Sequence, residues 1–454
     1  MRILLLFTLL TVSAATSFAQ VSSTVNYTFT NTTTGSLTDM SSGTSSILVP
    51  TTLAGNFSAS SSIGFDFWLM GTRYTNFSVN SNGLMRLGKN KVSTTGSNDM
   101  RAVNNLPFIT AFWDDLNNYT ISTGTRSRVH SKVTGTAPNR VLTVEWKNFI
   151  IRSNSSNGVQ LSSWQVRLYE TTGVFQFVYG RMQIATGSST VTASAGMSVT
   201  PGNTLNKMIY LTNIITPTVS RNGGVAANTL VNTNTVGPIT GLNSSSNGSR
   251  TQYTFTSWLP DANPAGLNFT AINPGGMTLN WTCAATNELG FVIYRSDDGG
   301  ATYNFVTQTA ANATSSVQGG LSPNTTYFWK VYAVTEGALS TAATSSGTTS
   351  VCIGAPLTNT LNYTGNSTGL LWSTAAWSLG HPPTACENAV INYTRSSGGS
   401  MFITMNISAS VNSLTINGVF SSSGNKYLKV LTAANALTVL NDLPINGAGG
   451  TGTD

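Results

Sequence analysis

The stretch Leu321-Ser322-Pro323-Asn324-Thr325-Thr326-Tyr327-Phe328-Trp329-Lys330-Val331-Tyr332-Ala333-Val334 decides how this chain is read. Pro323 and Asn324 set a turn. Beyond it Tyr327, Trp329, Val331 and Ala333 fall on one face, and Phe328, Lys330 and Tyr332 on the other. A period of two held this long predicts a half-buried strand. Moving upstream, Met277 to Thr282 is another apolar strand and carries Trp281. Phe291 to Arg295 is a third, which Asp297-Asp298-Gly299-Gly300 turns into Tyr303 to Val306.

The pattern Leu321-x-Pro323-x-Thr325-x-Tyr327 resembles the tyrosine corner of a fibronectin type III domain, where the Tyr hydroxyl bonds backbone across the turn into strand F. Trp281 stands where that family places its strand-B tryptophan. The resemblance covers about Pro264 to Ser350, within a domain assigned to residues 259–351. It implies a seven-stranded sandwich in which Trp281, Leu321 and Tyr327 are structural. It names no ligand, because this sandwich hosts many functions.

From Val21 to Ser257 short alternating strands follow one another between Asn, Ser and Gly turns. Ile63, Phe65 and Phe67 alternate, as do Leu142, Val144 and Trp146, then Trp164, Val166 and Leu168. Glu170-Thr171-Thr172-Gly173 is a hairpin connection into Phe175, Phe177 and Tyr179. No stretch holds a helical period, so an antiparallel sandwich or barrel is expected. Gly64-Phe65-Asp66-Phe67-Trp68-Leu69-Met70-Gly71-Thr72-Arg73-Tyr74 runs on to Phe77-Ser78-Val79-Asn80-Ser81-Asn82-Gly83. Later comes Pro107-Phe108-Ile109-Thr110-Ala111-Phe112-Trp113-Asp114-Asp115. Together these resemble nidogen-type extracellular domains, and residues 20–258 are assigned to a nidogen-like β-sandwich. The resemblance implies an adhesive or matrix-like setting and carries over no active residue. Pro217 to Arg250 is expected to be loop, Tyr253 and Phe255 a returning last strand, and Pro260 and Pro264 a stiff linker.

From Cys352 the character changes. Trp372-Ser373, Trp377-Ser378, Gly380-His381-Pro382-Pro383-Thr384 and Ala389-Val390-Ile391 resemble the opening of parallel β-helix regions in large bacterial surface proteins. Val411, Leu414, Ile416, Leu428, Val430, Leu437 and Val439 recur in short apolar pulses, as stacked rungs would. Residues 352–454 are therefore expected to begin a parallel β-helix whose open end Trp372 and Trp377 cover. The pattern stops in mid-run at Gly449-Gly450-Thr451-Gly452-Thr453-Asp454. A longer protein, with a sorting or anchoring domain, is expected.

The composition fits this all-β, multidomain reading. The 454 residues suffice for two to four domains, and 40% hydrophobics can build cores. Charged residues are only 8%, against roughly 25% in an average globular protein, and Thr, Ser, Asn and Gly replace them. The net charge of +7 is spread thinly with no Lys/Arg run, which argues against a nucleic-acid partner. Arg2, the apolar run Ile3 to Val12 and Ser17-Phe18-Ala19 read as a signal peptide, residues 1–19, cleaved before Gln20. No Cys follows it to carry a lipid, and no later stretch is apolar enough for a transmembrane segment. The expected location is secreted or cell surface. Of the three cysteines at least one is unpaired within the chain. In a fibronectin-type sandwich Cys283 ends strand B at one pole and Cys352 follows the last strand at the other. A six-residue strand spans about 20 Å, while a disulfide needs Cα atoms roughly 4.4–6.8 Å apart. That argues against Cys283–Cys352 and leaves Cys352–Cys386 or no bridge.

Little in the sequence suggests chemistry. His130 and His381 lie in different domains, and both read as structural. No nucleophile elbow, zinc motif or cofactor motif is present. Asp114 and Asp115 are the only adjacent carboxylates of the first domain, and strand neighbours point to opposite faces. A calcium site, a loop cap and solvated acids all remain open for them. Glu145 is expected to face outward opposite Trp146, Glu170 to sit in a hairpin turn, and Trp146 and Trp164 to lie in the core. No catalytic, cofactor-binding or metal-ligating residue is assigned, and no cofactor is expected. The expected function is non-catalytic adhesion, or interaction with an extracellular protein or polysaccharide ligand. The alternative is an accessory N-terminal region of a secreted polysaccharide-degrading enzyme.

Overall fold

The computed structural model describes residues 20–448 except 51–54, 97, 102–104, 120–125, 152–159, 185–191, 201–203, 222–236, 243–247, 364–369, 396–400, 421–425, 431–436 and 443–444. The expected signal peptide at 1–19 and the final run 449–454 lie outside the described residues.

The chain is almost wholly β. In the first domain two antiparallel sheets face each other. One runs from Tyr27–Gly35 through Arg250–Ser257, Phe175–Tyr179 and Ser162–Tyr169 to Val141–Ile151, with Arg128–Thr134 and Ser45–Leu48 beyond. The other runs Thr218–Ser220, Met208–Asn213, Ser194–Ser198, Phe108–Trp113, Leu84–Leu87, Thr72–Val79 and Ser61–Leu69. The alternating residues supply the core between them. Phe65, Phe67 and Leu69 come from one sheet, and Val144, Trp146 and Trp164 from the other. Trp146 and Trp164 are stacked with ring centroids 6.0 Å apart. The first and last strands pair, Tyr27 opposite Ser257, which closes the domain on itself. The tail expected to be loop contributes strands. Thr218–Ser220 pairs with the free edge of Met208–Asn213, and Gly237–Pro238 with Gln183–Ile184. Edge pairing of this kind needs no hydrophobic alternation, which is why the sequence does not announce it.

The middle domain is a seven-stranded sandwich. Ala265–Asn273, Gly276–Thr282 and Ser315–Gln318 form one sheet; Asn304–Gln308, Phe291–Ser296, Thr326–Ala333 and Ala343–Thr348 form the other. Tyr327, Trp329, Val331 and Ala333 are buried between them with Trp281 and Leu321. The Tyr327 hydroxyl accepts a hydrogen bond from the Ser322 amide at 2.8 Å, closing the corner. The opposite face of this sheet is not left to water. Val292 and Val334 enclose Trp68 of the first domain, with Tyr294, Phe305, Tyr332 and Leu339 around them.

That junction is built from one strand used on both sides. In Ser61–Leu69 the odd positions face the first core, so Asp66 and Trp68 point out. Asp66 pairs with Arg73 at 2.7 Å and accepts from the Tyr294 hydroxyl at 2.6 Å. The Arg73 guanidinium lies 4.1 Å from the Phe305 ring centroid, an attraction that strengthens as water is removed. Glu336, 1% exposed, accepts from the Ser23 amide at 3.0 Å and from Asn26 Nδ2 at 2.7 Å. Gly173 and Gly337 let the backbones touch. A Cβ on Gly173 would stand 2.1 Å from the Gly337 carbonyl oxygen.

Beyond the sandwich the strand ladders among the described residues are parallel, with one isolated antiparallel bridge between Leu361 and Trp377. Leu357–Tyr363, Glu387–Arg395, Ser413–Phe420 and Ile445–Ala448 stack in register, as do Leu370–Leu371, Met401–Met405 and Lys426–Val430, and Ala409–Val411 with Leu437–Val439. This is a β-helix. Side chains repeat from coil to coil: Asn417 Nδ2 donates to Asn392 Oδ1, and Asn392 Nδ2 to Asn362 Oδ1, both at 2.8 Å. Trp372 and Trp377, 4.9 Å between centroids, are buried in the core of the opening coil.

Candidate functional site

The residues singled out in the sequence are mostly held in structural roles. In the turn Asn80-Ser81-Asn82-Gly83, Asn80 Oδ1 accepts from the Asn82 and Leu84 amides at 3.1 and 2.9 Å. Gly83 has φ +94°, and a Cβ there would stand 1.8 Å from the Phe112 carbonyl oxygen, so only glycine fits. Asn82 Oδ1 accepts from the Leu116 amide at 3.2 Å, and the Asn82 carbonyl accepts from the Asp114 amide at 3.2 Å. The two nidogen-like motifs are thus tied together, and they fix the short connection bearing Asp114 and Asp115. Asp114 is half-buried and accepts from Asn98 Nδ2 at 3.3 Å; Asp115 is exposed. Among the described residues no group of three or more His, Cys, Asp or Glu side chains is placed to hold a metal ion.

Cys352 and Cys386 are joined by a disulfide across the mouth of the β-helix. Cys283 is free and half-buried at the end of its strand, and burial pushes its thiol up. In the Asp297–Gly300 turn, hydrogen bonds from Ser296 and Thr302 to Asp298 hold that carboxyl well below its usual range.

One expectation is overturned. Glu145 does not face outward into water; it is 3% exposed. Adjacent strands place Ser46 opposite His130, His130 opposite Glu145, and Glu145 opposite Gln165. His130 Nε2 lies 2.6 Å from Glu145 Oε2, and Gln165 Nε2 donates to Glu145 Oε1 at 3.0 Å. Burial pushes the Glu145 carboxyl up, but the bonds from His130 and Gln165 and the nearby Lys147 outweigh it and hold it below its ordinary value. The row is roofed by the segment before Ser45–Leu48. The Thr38 amide donates to Gln165 Oε1, and Gln165 Nε2 to the Thr38 carbonyl, both at 2.9 Å. Residues 36–44 have no hydrophobic period, so nothing in the sequence shows that they cover a sheet face.

Where this roof ends, the row opens into a cleft of about 520 Å³. Thr44, Ser46, Arg126, Arg128, His130 and Asn148 line it. No carboxylate is among the lining residues. Arg126, Arg128 and His130 recur at every second position and so face the same way. Sequence reading missed this site because its parts come from separate strands and none forms a motif. The alternation of Arg126, Arg128, His130 and Lys132 was the one local signal. Ser46, His130 and Glu145 resemble a nucleophile, base and orienting acid in order. Yet no hydrogen bond joins Ser46 to His130 among the described residues.

The family model for NIDO-related domains matches residues 26–257, more than half of the chain, and that for fibronectin type III domains matches 262–346. Among solved structures, FN3tt is 29% identical over 19% of this chain and 96% of its own, with a TM-score of 0.17. A Fn3-like protein from Clostridium thermocellum is 22% identical over 20% of this chain and 93% of its own, TM-score 0.18. An FN3 domain of human collagen XX is 23% identical over 19% and 88%, TM-score 0.17. No curated protein matches the chain.

Proposed function

Because the chain belongs to the NIDO-related family and continues into a fibronectin type III domain and a β-helix, we propose that it is an exported protein that works by contact, binding extracellular protein or glycan without catalysis. The domain set is of the extracellular, modular kind, and no helix among the described residues is long and apolar enough to cross a membrane. The observation that carries the reading is the tandem of three β modules whose conspicuous motifs serve packing. The nidogen-like turns lock one another, the tyrosine corner closes a sandwich, and the Trp pair fills a coil. What remains at the surface is weakly charged, which suits many weak contacts made stronger by repetition.

The test is binding of residues 20–454, multimerised on beads, to glycan arrays and to cell surfaces, with the monomer as control. Binding that rises steeply with valency is expected. A second reading, hydrolysis, has one observation behind it, the Ser46-His130-Glu145 alignment across three strands. Turnover of a polysaccharide that disappears in Ser46→Ala, Asp114→Ala or Asp115→Ala would replace the contact reading by the enzymatic one.

A further inference from the structure

We propose that the cleft above His130 is a binding site for an acidic sugar, its carboxylate or sulfate group held by Arg126 and Arg128. This rests on the glycan-contact reading above and gives it a place and a ligand class.

Charge is scarce in this chain, and most of its arginines are engaged. Arg73, Arg101, Arg140 and Arg295 pair with carboxylates. Arg221 donates to the Thr24 and Tyr27 carbonyls. Arg126 and Arg128 are exposed, and their side chains make no hydrogen bond or ion pair among the described residues. Both line the same cleft. The neighbour opposite Arg128 in the register is Lys147, so the sheet offers another cation rather than an acid. Two planar guanidiniums on one face match the geometry of a carboxylate or sulfate, each able to give two parallel N–H bonds.

The floor of the cleft is built. His130 is 3% exposed, and its Nε2 is held by Glu145. That leaves Nδ1 as the ring nitrogen able to meet a ligand. Glu145 does not repel an anion strongly, because His130, Gln165 and Lys147 already surround its charge. Thr44 and Ser46 hydroxyls and the Asn148 amide provide donors and acceptors for ring hydroxyls. The volume falls in the range of small-ligand sites, roughly 300–1,000 Å³. The lining has no Phe, Tyr or Trp, so recognition depends on charge and hydrogen bonds rather than on stacking. Such binding is weakened by salt.

Calorimetric titration of the chain from residue 20 onward, which keeps every described residue, tests this. The probes are an oligogalacturonate, a sulfated galactan oligosaccharide and a neutral malto-oligosaccharide of equal length. Binding of one or both acidic probes and not the neutral one is expected, with affinity falling as salt rises. The Arg126→Ala/Arg128→Ala variant, altered only at exposed positions, should lose about tenfold or more in affinity for the acidic probe. Equal binding of acidic and neutral probes, no binding of either acidic probe, or unchanged affinity in the double variant would overturn the site. The same variant, multimerised on cells, separates the two readings. If wild type and variant adhere alike, the cleft is wrong and the contact function stands; if neither adheres, the contact function fails as well.

Discussion

Replacing Trp68 by Ala tests whether the first two domains fold as one unit. The indole is 1% exposed and packs against Val292, Val334 and Phe305, the last with ring centroids 6.3 Å apart. Its Nε1 has no hydrogen-bond partner among the described residues, so the substitution removes packing alone. Truncating a filled Trp site costs about 3–5 kcal/mol. The neighbours belong to the other domain, so this cost falls on the junction rather than on either core. In a cooperative unit of roughly 330 residues each kcal/mol moves the melting temperature by about 1.4 °C, so the lower bound alone predicts a fall of roughly 4 °C. Wild type should show a single calorimetric transition for both domains, because Trp68, Asp66 and Glu336 all bridge them. Trp68→Ala should show two, and the linker between Trp258 and Pro264 should become open to protease. A variant that melts in one transition within about 2 °C of wild type would refute the junction.

Trp281→Ala lies wholly inside the fibronectin sandwich, packed against Phe291 at 5.4 Å between centroids; it should cost about 3–5 kcal/mol and destabilise that domain without exposing the linker. Non-reducing peptide mapping should recover Cys352 linked to Cys386, with Cys283 as a free, alkylated peptide; a Cys283-linked peptide would contradict the fold at the β-helix mouth. Glu145 is held below its ordinary pKa, so its contribution is present above about 4.3 and is lost as pH falls through the lower folded value. Denaturation followed from neutral pH downward should therefore show a shallower acid limb in Glu145→Gln than in wild type, and an identical limb would show that Glu145 titrates as if exposed.

Local patterns were legible and long-range coverage was not. Tyr327 could be placed because Leu321, Pro323 and the alternation to Ala333 lie within one turn and strand, and each step constrains the next. The same alternation marked Phe328, Lys330 and Tyr332 as the other face, but could not say that Trp68 from far upstream covers part of it. Glu145 was misplaced for a similar reason. A period of two separates faces and does not tell which face meets water. The covering segment at residues 36–44 is held by backbone and amide hydrogen bonds, which leave no apolar rhythm. The cleft was illegible for both reasons together. Its residues come from three strands, and its depth exists only because the roof stops short.

How the acids are engaged bears on what the surface can do. Asp66 and Glu336 are fixed at the junction, and Glu170 is paired with Arg140 at 2.6 Å. Glu145 is committed to His130 and Gln165. Glu387 accepts from Asn359 Nδ2 and from the Thr384 amide at the β-helix opening, at 3.0 and 3.1 Å. Carboxylates so placed are engaged within or between the modules and contribute little to the field outside. Arg126 and Arg128 have no such tie, so part of the chain's net +7 is presented at one concave place. A low-dielectric wall beneath a concave cationic surface concentrates that field. An approaching anionic polymer would meet a concentrated attraction there. The weaker polar contacts of the three modules would then add to a contact already oriented.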